Sequence, residues 1–115
     1  MMEVTSAQII TDAHDRAARF RGRETHPFFS RDAMIMFRSH VHEGVAYKEL
    51  GEYEDSYVFI TSEDNAAHTE RMYTVRTMSA RGSVDDVGEF GEHSTLARAQ
   101  SAMRKYISTL DKAGV

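Results

Sequence analysis

A chain of 115 residues, 41% hydrophobic and 28% charged, with a net charge of −4, reads as one soluble domain over 1–115 that can bury a core of its own. The absence of cysteine excludes disulfides, thiol catalysis and thiolate metal sites, and suits a reducing cytoplasm. No apolar run nears the roughly 20 residues of a membrane span, and Met1-Met2-Glu3-Val4 opens no secretory leader.

The first element is a helix over 6–21. Ile9, Ile10, Ala13, Ala17 and Phe20 recur at helical spacing, Thr5 with Gln8 fits a capping box (Ser6 is the rival cap), and Gly22 is the stop. Pro27 marks a turn within Thr25-His26-Pro27-Phe28-Phe29. Residues 30–42 fit either a helix capped by Ser30, with Met34, Phe37, Arg38 and Val41 on its face, or a strand. The capping serine, Asp32 in the first turn and Gly44 at the end favour the helix. Residues 45–91 read as an antiparallel sheet, with strands in Val45–Leu50, Tyr57–Thr61 and Met72–Met78 and a weaker one within Val84–Phe90. Along the third of these, Tyr73, Val75 and Thr77 alternate with Met72, Thr74, Arg76 and Met78, which predicts one buried and one wetter face. The last element is a helix over 95–112, capped by Ser94 and ended by Gly114. Its stripe is Leu96, Ala99, Met103, Tyr106, Ile107 and Leu110. The fold class is therefore expected to be α+β: an N-terminal helix followed by a second, an antiparallel sheet of three to four strands, and a C-terminal amphipathic helix, the helices covering one sheet face.

Charge is distributed in blocks. Residues 1–15 sum to −3, 16–38 to +4, 43–70 to −7 and 71–115 to +2. In the −7 block, Tyr47, Tyr53, Tyr57 and Phe59 alternate with carboxylates. Tyrosine offers contact area at low entropic cost, and carboxylates beside it can engage a partner's arginines. The expected contact site is Glu49, Glu52, Tyr53, Glu54, Asp55 and Tyr57. The competing nucleic-acid reading uses Arg16, Arg19, Arg21 and Arg23 together with Arg98, Arg104, Lys105 and Lys112, whose seven-residue spacing sets Arg98, Lys105 and Lys112 along one helix face.

The strand, strand, strand, helix order, with Gly88-Glu89-Phe90-Gly91 leading into the last helix, resembles a double-stranded-RNA-binding domain over about half the chain. That family places lysines at the start of its final helix. Here His93-Ser94-Thr95-Leu96 stands there, behind Asp85, Asp86, Glu89 and Glu92, so the resemblance is not carried into a function.

A third reading is a metal-dependent enzyme built on His40 and His42, which share a side only if their segment is a strand. His42-Glu43-Gly44-Val45-Ala46 lacks the second histidine of the zinc-protease pattern, and no phosphate loop, nucleophile elbow or dinucleotide fingerprint is present. Finally, Phe28, Phe29, Met34, Met36 and Phe37 crowd ten residues. One element cannot bury them all on one side, so the surplus marks a methionine-rich patch and a homodimer seam.

The expectation is a non-enzymatic, cofactor-free cytoplasmic binding protein. It would be a small regulator, inhibitor or adaptor of the kind phages and mobile elements carry as accessories, presenting an acidic, tyrosine-containing surface to a basic protein partner.

Overall fold

The computed structural model describes residues 1–21 and 26–112. Five strands form one antiparallel sheet in sequence order: β1 (Met2–Val4), β2 (His40–Tyr47), β3 (Ser56–Asp64), β4 (Arg71–Met78) and β5 (Val84–Val87). Three α-helices accompany them: α1 (Ser6–Arg16), α2 (Arg31–Met36) and α3 (Leu96–Lys112). The architecture is α+β, with one strand more than the sequence pattern suggests. The addition is β1, three residues too short to show an alternation, which pairs with β2 through Val4 opposite Gly44.

α1 starts where the Thr5 hydroxyl accepts from the Gln8 amide at 3.1 Å, leaving Ser6 as the first helical residue. Its continuation over Ala17–Arg21 widens to π-helical geometry; the expected stop at Gly22 lies outside the described residues, as does Gly114. After Pro27–Phe29, a single 3-10 turn in which the Phe28 amide donates to His26 Nδ1, α2 is cut short at Met36. The preferred helix over 30–42 is thus corrected. Only Arg31–Met36 is helical, because Arg38 turns left-handed (φ 50°) and His40 opens β2. At α3, Thr95 rather than Ser94 supplies the cap, accepting from the Arg98 amide at 3.2 Å.

The helices do not share a face. Ile9 and Ala13 of α1, with Phe28 and Phe29, pack on one side of the sheet against Val41, Ala46, Tyr57, Phe59 and Met78. Ala99 and Met103 of α3, flanked by Leu96, Tyr106, Ile107 and Leu110, pack on the other against Tyr47, Val58, Ile60 and Val75. The sheet is therefore the middle of three layers, and every residue of β3 from Ser56 to Ser62 is buried. The expected wetter face of β4 is covered too: Thr74, Arg76 and Met78 are buried beneath the N-terminal layer. At Gly44, α1 crosses β2 so closely that a Cβ would stand 2.8 Å from Ile9 Cδ1 and 2.9 Å from both Phe59 Cβ and the Val58 carbonyl oxygen.

Candidate functional site

Two places gather unusual chemistry: the loop joining β2 to β3, and a pocket under the N-terminal layer.

The loop spans residues 48–55 and contains most of the expected acidic contact site. Lys48 Nζ donates to the Tyr53 carbonyl, the Glu52 amide donates to the Glu49 carbonyl at 3.1 Å, and Gly51 takes the left-handed turn position (φ 86°). The base of the loop is gripped by Arg16, which is 3% exposed. Its Nη1 donates to the carbonyls of Asp55 at 2.6 Å and Ser79 at 3.0 Å. Its Nε lies 3.1 Å from Glu54 Oε2 but out of line for a hydrogen bond. Arg19 reaches the same carboxylate at 2.7 Å and Asp15 at 2.8 Å. The hydrogen bond that Arg19 donates to Glu54, then the one it donates to Asp15, raises its pKa above the ordinary value, while Arg19 and Arg16 hold the Glu54 carboxyl below its own.

These contacts undo the expected division of the surface into an acidic and a basic face. Arg16 and Arg19 of the positive block sit against Glu54 and Asp55 of the negative one, and Arg81 stands 4.0 Å from Glu52. Charges segregated along the chain are interleaved in space. Tyr57 leaves the contact site altogether. It is buried, its hydroxyl donates to Asp12, and burial, followed by the Asp12 bond, pushes its phenol up to about 12. Tyr47 and Phe59 are buried as well. Besides Lys48, the loop exposes two large apolar side chains. Leu50 and Tyr53 are 104% and 96% exposed, and Tyr53 and Phe20 line a shallow hollow of about 210 Å³ with Arg19 and Arg81.

The second place was not anticipated. Arg76 on β4 is 2% exposed, and its guanidinium lies between two rings, 4.9 Å from the centroid of Phe28 and 5.6 Å from that of Phe90. Nε donates to Thr61 Oγ1 at 2.9 Å, Nη1 to Asp86 Oδ1 at 3.0 Å and Nη2 to Glu63 Oε1 at 3.4 Å. Strand register sets this up, since Arg76 faces Asp86 directly across the β4–β5 pair. Phe90 arrives on a tight turn closed by Glu92 Oε1 accepting from the Glu89 amide at 2.9 Å. The group borders a pocket of about 250 Å³. Burial pushes the Glu63 carboxyl above its ordinary value although Arg76 and Arg71 pull it down, and burial lowers the Arg76 pKa against the opposing pull of Asp86 and Glu63. The sequence held one signal of this site: Arg76 stands inside the run Met72–Met78, whose other residues are apolar, hydroxyl-bearing or aromatic.

The remaining candidates disperse. Arg16 cannot reach a phosphate and Arg19 is already paired, whereas Arg98, Arg104 and Lys105 stand exposed on α3. Arg23 and the side chains of Arg21 and Lys112 lie outside the described residues. His40 and His42 do come together on β2, ring centroids 4.8 Å apart, with Ser62 Oγ 2.6 Å from His42 Nε2. No group of three or more histidine, cysteine or acidic side chains able to hold a metal occurs among the described residues. Burial, then His40, then Arg71, holds the His42 pKa below its ordinary 6.5. Of the apolar crowd, Phe28 and Phe29 are core, Met34 packs against that core, Phe37 is half-buried and Met36 is exposed, beside an exposed Ile35. Among the described residues no helix is long and apolar enough to cross a membrane.

A family model, described as "Family of unknown function (DUF7447)", matches residues 10–104, and the chain belongs to that family. Neither a curated protein nor a solved structure matches.

Proposed function

We propose that this member of the family is a non-enzymatic, cytoplasmic binding protein, a small regulator, inhibitor or adaptor, that docks onto another protein through the tip of the 48–55 loop. The observation that carries the reading is the full exposure of Leu50 and Tyr53 on a loop whose base is clamped by Arg16, Arg19 and Glu54. Large side chains held out on a pre-ordered support gain contact area on docking without a large ordering cost. The charge pairing at the base alters the expected mode of recognition. Glu54 and Asp55 already have cationic or backbone-bonding partners, so Leu50 and Tyr53 act as anchors and Glu49 and Glu52 as rim charges. The partner accordingly presents an apolar cleft edged by basic groups.

The test is site-specific photo-crosslinking in native lysate from position 52, with a control crosslinker at position 98 on α3. The expected result is an adduct with a defined protein from 52 alone, lost when Leu50→Ala and Tyr53→Ala are combined in a chain that keeps its circular dichroism spectrum. An adduct that survives the double substitution, or forms equally from position 98, overturns the reading.

A further inference from the structure

The Arg76 pocket is unrelated to the 48–55 loop and nothing in the loop reading uses it. Its charge is unbalanced. Two carboxylates, Glu63 and Asp86, flank one guanidinium, and Arg76 engages a single oxygen of each, Oε1 and Oδ1. Neither Glu63 Oε2 nor Asp86 Oδ2 has a hydrogen-bond partner among the described residues. Around Arg76 the pocket thus combines two carboxyls, their spare acceptor oxygens and aromatic walls, with the His26 ring also lining it.

That combination selects a class of ligand. An anion would come up against Glu63 and Asp86, the two carboxylates that already pair with Arg76, at repulsive distance. A neutral apolar group would leave the carboxylate charge buried and uncompensated. A second planar cation satisfies both demands: it takes the spare carboxylate oxygens edge-on and lays its face on the rings, as Arg76 itself does between Phe28 and Phe90. The volume sets the size. About 250 Å³ is smaller than the roughly 300–1,000 Å³ of pockets that take drug-sized molecules, and suits a single side chain. The mouth is apolar as well: Phe90 is 52% exposed, and Ala33 and Phe37 line the opening on the side of α2, which also exposes Ile35 and Met36.

We infer that the pocket bounded by Arg76, Glu63, Asp86, Phe28, Phe37 and Phe90 is a binding site for a guanidinium group, supplied by an arginine side chain of a protein. A small free guanidinium compound shares the chemistry but lacks a chain to pack on Phe90, Ile35 and Met36.

The experiment is a titration of the full-length protein, followed by amide and methyl NMR shifts, with four probes: methylguanidinium, the capped peptide acetyl-Gly-Arg-Gly-amide, methylammonium and acetate. The expected result is saturable shifts at Arg76, Phe90 and Ala33 with both guanidinium probes, the peptide binding severalfold tighter, methylammonium weaker and acetate silent. Glu63→Gln is expected to weaken the peptide about tenfold or more, the scale of one charge-assisted hydrogen bond. Phe90→Ala, at a half-exposed position that leaves the fold intact, is expected to weaken it severalfold. Tighter binding of methylguanidinium than of the peptide would reassign the site to a small free ligand and overturn the protein-side-chain assignment. Acetate saturation, no shifts with either guanidinium probe, or affinity unchanged by Phe90→Ala would overturn the site itself.

Discussion

Replacing Arg16 with methionine isolates the contribution of the clamp beneath the 48–55 loop. The substitution keeps most of the side chain's length and apolar stem but removes every polar contact. Asp55 O, partly buried, loses its donor at 2.6 Å, and Ser79 O loses one at 3.0 Å but keeps the Gly82 amide. An unsatisfied buried acceptor costs about 1–3 kcal/mol. The ion pairs to Glu54 at 3.1 Å and Asp12 at 3.8 Å also vanish, and the carboxylates left behind are exposed enough to rehydrate in part. The expected loss is about 2–4 kcal/mol, most of it from the orphaned Asp55 carbonyl and the rest from the half-exposed ion pairs. Against a total of about 5–15 kcal/mol for a domain, that is a large fraction. Urea unfolding followed by circular dichroism reads it as a midpoint about 1–2 M lower, taking a slope of about 2 kcal/mol per molar. The control is Arg19→Ala, which breaks ion pairs to the same Glu54 from a position open to solvent and is expected to shift the midpoint only slightly. Equal shifts for the two variants, or a loss for Arg16→Met below about 1.5 kcal/mol, would refute the reasoning, because the backbone acceptors rather than the Glu54 charge are held to dominate.

Gly44→Ala is expected to destabilise by about 1–3 kcal/mol through overpacking, since its Cβ would meet Phe59 Cβ and the Val58 carbonyl, neither of which can swing away. Adding Ile9→Val, which deletes the third clashing atom, is expected to recover part of that loss, and strict additivity in a denaturation cycle would contradict the close approach. His42 predicts a pH dependence. Its folded-state pKa lies below 6.5, so the unfolded chain binds protons more readily; the stability it contributes is complete above 6.5 and is lost as pH falls through the lowered value. His42→Asn is expected to flatten the decline in unfolding midpoint just below pH 6.5, and an unchanged slope would assign that decline to other groups. The combined Leu50→Ala and Tyr53→Ala variant is expected to hold the parent's stability within about 0.5 kcal/mol, because both side chains stand in solvent; a larger loss in thermal unfolding would mean they pack on something.

Where one period runs unbroken, the sequence was readable. The stripe Leu96, Ala99, Met103, Tyr106, Ile107 and Leu110 defines α3 and is its buried side, and Ile9 with Ala13 does the same for α1. The β3 and β4 strands were legible from β-branched and aromatic runs. Legibility failed where long-range contacts outvote local pattern. Met2–Val4 becomes a strand only because β2 offers an edge, and residues 40–47 leave the helix that Ser30 starts because pairing with β3 is worth more than continuing it. Arg16 and Arg76 look like solvated cations along the chain, yet both are buried: the acceptors of Arg16 come from segments far away in sequence, and those of Arg76 from the strands paired on either side of it. For the same reason the charge blocks misled: electrostatic pairing is set by the topology, which brings the end of α1 beside the β2–β3 loop. Of the expected contact residues, Leu50 was absent and Tyr53 present, since full exposure of an apolar side chain leaves no mark in a sequence.

β3 has hydrogen-bonded neighbours on both sides and helical layers on both faces. Its amides can reach solvent only if β2 or β4 peels away and a core cluster opens with it, and Val58 with Phe59, adjacent in the chain, commit their side chains to opposite clusters. No partial opening frees the strand while sparing one core. Hydrogen exchange along Tyr57–Thr61 therefore requires global unfolding, and the two apolar clusters, on opposite faces of the sheet, are lost in one cooperative step.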